Sequence, residues 1–240
     1  MIVTISFFKY NNNKFWAFTQ MHYAFKKMNK IPNLKFFKLL GTGSGNGFSL
    51  FPNFSTYSIL CVWKNKSSAL NFVNESQHAI SISKMAFSRE DFYLNPIKSH
   101  GKWDGINPFK TDSERITRNS KIGIITRATI NANRMFEFWK SVPNASNAIK
   151  NAKGVEWFKG IGEWPFIQQA TFSVWDNLES VKNFAYNSGS HAEIIKKTRK
   201  RKWYKEDLFA RFEIIDSCYK IFKKFEKSYN NWIWNSWNSH

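Results

Sequence analysis

The segments ILCVWKNKSSALNFVNES (59–76) and TFSVWDNLESVKNFAYNS (171–188) superpose without a gap, and that match decides how the whole chain is read. Trp63 falls on Trp175, Phe72 on Phe184 and Ser76 on Ser188, each pair 112 residues apart. Upstream, FFKLLG (36–41) meets WFKGIG (157–162), with Phe37 on Phe158, Lys38 on Lys159 and Gly41 on Gly162, now 121 residues apart. The difference between the two offsets is an insertion in the first copy. It falls in GTGSGNGFSLFPNF, where Gly, Pro and Ser mark a loop. Two blocks repeated in the same order indicate a duplicated unit.

Each copy reads as strand, helix, strand, strand, helix, strand. In the second, KIGIITRATI (121–130) is rich in β-formers, and NRMFEFWKSVPNASNAIKNA (133–152) carries a helical pattern that Pro143 is expected to break or kink. GVEWFKGIG and FIQQATFSVW supply two strands, Asp176 is placed to cap the helix of DNLESVKNFAYNS, and LFARFEII (208–215) alternates as the closing strand. VTISFFKY, KFWAFTQMHYAFKKMNK, LKFFKLL, TYSILCVW, SSALNFVN and EDFYLNPI follow the same plan in the first copy. The expected fold class is therefore α+β, with duplicated ferredoxin-like βαββαβ units. Residues 1–97 and 121–216 are the two repeats, the polar strip 98–120 is the linker, and 217–240 form a basic, aromatic tail. A sheet covered by helices on one face leaves the other bare, so the two sheets are expected to face each other as a pseudo-dimer within one chain.

With 240 residues, 42% of them hydrophobic and including 24 Phe and 11 Trp, the chain is excluded from the disordered classes. Its 36 basic against 17 acidic residues leave +19 at pH 7, which favours nucleic acid or an anionic membrane surface as partner. The abundance of Lys, Asn, Ile and Phe equally fits A/T-rich codon bias, which carries no information about partners. Two cysteines, Cys61 and Cys218, make neither a disulfide framework nor a CxxC metal knot. No apolar run approaches the ~20 residues of a spanning helix, so a cytosolic chain with at most peripheral membrane contact is expected.

The run GTGSGNG (41–47) follows a strand but leads into FSLFPNFSTYS instead of a helix, so a flexible loop is expected there and not a phosphate cradle. No Ser-His-Asp order, HExxH helix or EF-hand loop can be read. Of His22, His78, His100, His191 and His240, only His191 opens a helical, charge-patterned stretch, HAEIIKKTRKRKWYKEDL. A neutral imidazole there can ligate haem iron if a partner fixes its second nitrogen, or it can serve as a cap or surface residue. His78 lies one position from the repeat equivalent of His191. The basic run KKTRKRK (196–202), with Arg199 at its centre, is either a solvated helix face or a cationic rim for carboxylates, an acidic redox partner or anionic lipid. The tail interleaves Phe222, Phe225, Trp232, Trp234 and Trp237 with lysines, as interfacial segments do.

GTGSGNGFSLFPNF, the strand ending in CVW, YLNPIKSHGKWDGINPF, ITRATI, IGEWPFIQQATFSVW, FAYNSGSHAEIIKKTR and WYKEDLFARF together resemble the spheroidene monooxygenase family of carotenoid oxygenases, over roughly residues 34–216. The resemblance implies kinship with the dimeric α/β-barrel monooxygenases, and hence a barrel-like pseudo-dimer. It also implies a haem-dependent enzyme that introduces hydroxyl or keto oxygen at C-2 of acyclic carotenoids such as spheroidene, with dioxygen as oxidant and reduced ferredoxin as electron donor. On that reading His191 is the iron ligand, with Phe172, Trp175 and Arg199 beside the cofactor. Phe158, Trp164 and Phe166 join Phe172 and Trp175 as candidates for the cavity wall. Arg127 and Arg211, on strands with apolar neighbours, are candidates for contacts to the haem propionates or the oxygen side, or else salt-bridged sheet residues. A lipid-dissolved substrate would place the enzyme peripherally on the inner membrane face. Alternatives are a related haem protein with degradative or dehydratase chemistry, and an RNA-binding module, although no RNP1-like stretch is present.

Overall fold

The computed structural model describes residues 1–45, 49, 51–111, 119–187, 198 and 200–222, and among these it forms eight strands and five α-helices of five residues or more. The first half contains β1 (Ile2–Lys9), α1 (Lys14–Met28), β2 (Leu34–Gly43), β3 (Pro52–Trp63), α2 (Lys66–Glu75), α3 (Gln77–Met85) and β4 (Ser88–Gly101). The second contains β5 (Ile122–Ile130), α4 (Met135–Lys150), β6 (Val155–Gly162), β7 (Gln168–Trp175), α5 (Leu178–Lys182), a π-helical turn (Asn183–Asn187) and β8 (Tyr204–Ile221). The expected α+β class is present. All neighbouring strands are antiparallel, in the closed order β1-β3-β2-β6-β7-β5-β8-β4.

The two sheets do more than face each other: they join edge to edge. A short seam pairs Gly41 with Gly162 and Thr42 with Ile161. A long one runs from Ser88↔Ile221 to Gly101↔Leu208. Closure removes every free edge from the described sheet, which is the physical advantage of a barrel over two stacked layers. The long seam also carries strand into segments expected to be linker and tail. Residues 98–101 belong to β4 because they pair with 208–211, and β8 continues through Ile221. Trp103 and Phe109, from the rest of the expected linker, are fully buried in the barrel core.

Side chains alternate along each strand, so one set points into the barrel and the other under the helices. The inward set includes Phe7, Leu60, Phe92, Leu94, Phe172 and Phe212, packed as one cluster. Phe92 and Phe172 meet edge to face at 5.1 Å, a favoured aromatic geometry. Outside, α1, α2 and α3 cover the first half's strands, while α4 and α5 cover the second's. The residues matched by the repeat make matched contacts: Trp63 meets Phe72 at 5.0 Å and 40°, and Trp175 meets Phe184 at 5.1 Å and 39°.

Two local expectations change. Helix α4 continues through Pro143, because burial of Phe138, Trp139 and Val142 along one face outweighs the hydrogen bond that proline removes. The cap of α5 is Asn177 and not Asp176: its side chain accepts from the Ser180 N–H at 2.9 Å, as Asn65 does from Ser68 at 2.8 Å before α2.

Candidate functional site

Between the outer face of β5, β7 and β8 and the helices α4 and α5 lies a cavity of about 790 Å³. That is the size of a site for a large organic ligand. Its floor is the outward set of three neighbouring strands: Ile124, Thr126 and Ala128 on β5, Thr171, Ser173 and Trp175 on β7, and Phe209 and Arg211 on β8. Phe138, Val142, Ala145 and Ile149 of α4 form one wall, and Val181, Lys182, Phe184 and Tyr186 another. The body of the cavity is thus apolar and aromatic, with polar groups set at separate points.

Several of those polar groups satisfy each other. The Thr126 and Thr171 hydroxyls lie 2.7 Å apart across the β5–β7 pair. The Trp175 indole donates to Ser173 Oγ at 2.9 Å, so the ring presents hydrocarbon to the interior. Others are left for something else to meet. Among the described residues Arg211 Nε and Ser146 Oγ are buried without a hydrogen-bond partner, an unfavourable condition for polar groups in a dry site. Among the described lining residues Lys98, Lys182 and Arg211 give the wall a cationic character, against Asp207 alone among carboxylates. Burial is the leading cause that raises the Tyr204 phenol above its ordinary pKa, and Asp207 adds to the rise while a bond with Thr198 opposes it. His100 also borders the cavity, stacked on Phe209 at 5.2 Å.

Of the residues singled out from sequence, Trp175 and Arg211 come together on this floor. Phe172 does not: it points into the barrel, packed against Phe7, Phe92 and Trp157. Phe158 is on β6 away from the cavity, and Trp164 and Phe166 are exposed in the β6–β7 loop. Arg127 borders the cavity, but its guanidinium closes one mouth of the barrel. There it bonds Glu206, lies 3.3 Å from Asp104 and stacks over Trp103 at 5.6 Å. Trp103 donates to Glu163 at 2.6 Å, and Lys38 bridges Glu163 and Asp104. Burial acts to raise the Glu206 pKa, but bonds from the Gly105 and Asp104 amides and the charge of Arg127 hold it below its ordinary value. The terminal nitrogens of Arg127 are thus ion-paired, while its Nε is buried without a partner among the described residues. His191 and Arg199 lie outside the described residues.

Sequence reasoning missed His100, Ser146, Tyr204 and the α4 wall. A signal for the cavity was available: at the repeat offset of 112, Ile59 becomes Thr171 and Cys61 becomes Ser173, smaller or more polar residues on one face of a strand.

No protein-family model matches the chain. A spheroidene monooxygenase of Cereibacter sphaeroides is 37% identical over 221 residues, covering 91% of this chain and 68% of the relative. A second, from Rhodobacter capsulatus, is 28% identical over 219 residues, covering 89% of this chain and 90% of that one. Among solved structures, aldoxime dehydratase aligns with a TM-score of 0.58 at 10% identity, over 94% of this chain and 85% of that one. Another aldoxime dehydratase, in complex with butyraldoxime, gives 0.56 at 12% identity, over 91% and 82%. These structural likenesses extend to the fold.

Proposed function

Because the chain belongs to the spheroidene monooxygenase family, we propose that it oxygenates an acyclic carotenoid of the spheroidene type at C-2. The observation that carries this reading is the large, apolar cavity beneath α4 and α5. A long hydrocarbon is held by burial with few polar anchors, and this wall offers that combination. The strand orders β4-β1-β3-β2 and β8-β5-β7-β6 within the barrel support reading the chain as two ferredoxin-like units, the second carrying the site.

The residues present also fit haem. Its flat apolar body suits the space over Trp175 and Phe184, and its carboxylates suit the cationic wall, where Arg211 Nε lacks a partner among the described residues. His191 is the proposed iron ligand, with Arg199 at the rim and His100 as the imidazole on the described wall. When bound, haem would supply the activation of dioxygen with electrons from a ferredoxin-type donor. The chain's own contribution is to orient C-2, exclude water and neutralise the carboxylates. Each turnover inserts one oxygen atom into a C–H bond and takes two electrons and two protons to reduce the other to water. A second hydroxylation at the same carbon gives a geminal diol, which loses water to leave a ketone.

A lipid-soluble substrate is consistent with peripheral attachment through the basic, aromatic residues 217–240. Among the described residues no helix is long and apolar enough to span a membrane. The barrel turns one face of every strand into its core, so it offers no open sheet for stacking RNA bases, which disfavours the RNA-binding alternative.

The test is incubation of the purified chain with spheroidene, dioxygen and a ferredoxin reducing system, followed by mass analysis of products. A mass gain of oxygen at C-2 is expected, and its absence in spectroscopically haem-loaded protein overturns the reading. Absorption spectra separate the cofactor question. A Soret band lost in His191→Ala assigns the ligand, whereas an unchanged band moves ligation to another residue, with His100 first in line.

A further inference from the structure

We propose that the outer face of α1 is a docking surface for an anionic lipid bilayer. Phe15, Phe18, His22 and Phe25 follow one another at intervals of three, four and three residues, a single stripe along the helix. Phe15 is 80% exposed, and Phe18 and Phe25 are each 53% exposed. The stripe extends onto the start of β3, where Phe54 meets Phe18 at 6.2 Å, and Phe51 stands 74% exposed beside this strand. The helix is anchored chiefly by Ala17, Ala24 and Met28 on its other side, while Phe18 and Phe25 touch Phe54 and Phe37 by one edge and leave about half of each ring in water. A cluster of phenyl groups left in water marks an interaction surface.

Charge identifies the occupant. Lys14 and Lys26 flank the stripe, and Lys27, Lys30 and Lys35 follow, all exposed. The first acidic residue of the chain is Glu75, so the helix and the strands β2 and β3 beside it carry only positive formal charge. The composition also selects lipid over protein. Protein interfaces favour Arg and are depleted in Lys, and the first arginine here is Arg89. Exposed phenylalanine on a helix rimmed by lysine is instead the pattern of helices that lie in the headgroup region, with their apolar face inserted roughly 5–10 Å. This surface lies in the half that lacks the cavity and is distinct from the tail. It goes beyond the proposed reaction and does not depend on it, although a lipid-dissolved substrate gives it a use.

The experiment is co-sedimentation of the full chain with vesicles of phosphatidylcholine mixed with phosphatidylglycerol, and with phosphatidylcholine alone. Wild type is expected to bind the anionic vesicles preferentially. The triple variant Phe15→Ser, Phe18→Ser, Phe25→Ser should lower the partition coefficient about tenfold or more. Lys14→Gln with Lys26→Gln and Lys27→Gln should remove most of the preference for anionic lipid. A chain ending at Phe222 should retain binding that the phenylalanine substitutions abolish. Circular dichroism should be unchanged and melting should fall only modestly, since Phe15 is mostly exposed and Phe18 and Phe25 are half exposed; the single variant Phe15→Ser, which lacks such contacts, should weaken binding with no change in melting. Wild type that ignores vesicles, or a triple variant that binds as wild type does, overturns the proposal. So does a triple variant whose lipid-free sedimentation shows loss of a dimer, which assigns the stripe to a second copy. Carotenoid turnover in detergent micelles is measured separately, and its failure counts against the reaction without touching the docking surface.

Discussion

The two halves of the barrel use the same strand register to opposite ends. In the first, the outward face of the sheet is filled: Phe8, Tyr57, Ile59, Cys61 and Tyr93 pack under α1, α2 and α3. The pairings Ile2↔Trp63 and Ile122↔Trp175 align the halves, placing Ala128 where Phe8 stands and Gln169, Thr171 and Ser173 where Tyr57, Ile59 and Cys61 stand. Across the neighbouring strands, Arg211 takes the place of Tyr93. Each exchange removes apolar bulk or brings in a polar end, and together they leave a cavity where the first half has core. Two halves of like strand order can thus differ in packing, one filled and one holding a cavity, through shorter or more polar side chains on one face of one sheet.

The strongest way to test that contrast is at the ion pair that completes the first half's packing. Arg89 and Asp91 are both almost fully buried and lie 2.7 Å apart, with Arg89 also bonded to the Val73 carbonyl and Ser83, and Asp91 to Ser6. Asp91→Ala should destabilise by about 3–5 kcal/mol in urea unfolding, because a buried guanidinium is left without its counter-charge. A loss near zero would mean that this region is already hydrated.

Next in size is a matched insertion. Ala24 on α1 and Ala145 on α4 are equivalent at the offset of 121, yet Ala24 is 1% exposed in packed core and Ala145 faces the cavity. Ala24→Phe should cost about 1–3 kcal/mol through overpacking. Ala145→Phe should stay within about 0.5 kcal/mol while lowering ligand binding, since it enters open space. Equal costs would show the second site to be closed in solution. Smaller still is Thr171→Ile, which restores the first half's residue: stability should change by about 1 kcal/mol or less, and titration with a carotenoid should show weaker binding.

The smallest effect is a pH slope. Burial, and then the charge of Lys27, hold the His78 imidazole below its ordinary pKa of 6.5, and among the described residues its Nε2 is buried without a partner. The folded chain therefore prefers the neutral ring, and the unfolded chain takes up the proton first. Stability is complete above 6.5 and declines as the pH falls through that value towards the folded one. His78→Asn should flatten the decline in unfolding free energy measured between neutral and mildly acidic pH.

Much of this architecture is written in local pattern. The repeats at 112 and 121 residues, the order of elements, Trp63 and Trp175 as equivalent core anchors, and the basic excess all follow from spacing and residue type. Local pattern failed where partners distant in the chain decide. Whether Phe172 or its neighbour Ser173 faces the cavity depends on which side α4 covers, and periodicity two does not say which face is which. The role of Arg127 depends on Glu206, 79 residues away, and on a turn that brings in Asp104. The strip 98–120 looked like a linker because its polar residues are many, but Trp103 and Phe109 are the ones that matter energetically. By itself, then, the sequence determined the α+β class, the order of elements and the aromatic cores, since helix and strand periods are properties of neighbouring residues. Tertiary structure alone decided which strand pairs make the two seams that close the barrel, and that one helix layer stands over a cavity while the other is filled. Both depend on side-chain volumes summed across strands that meet only after folding.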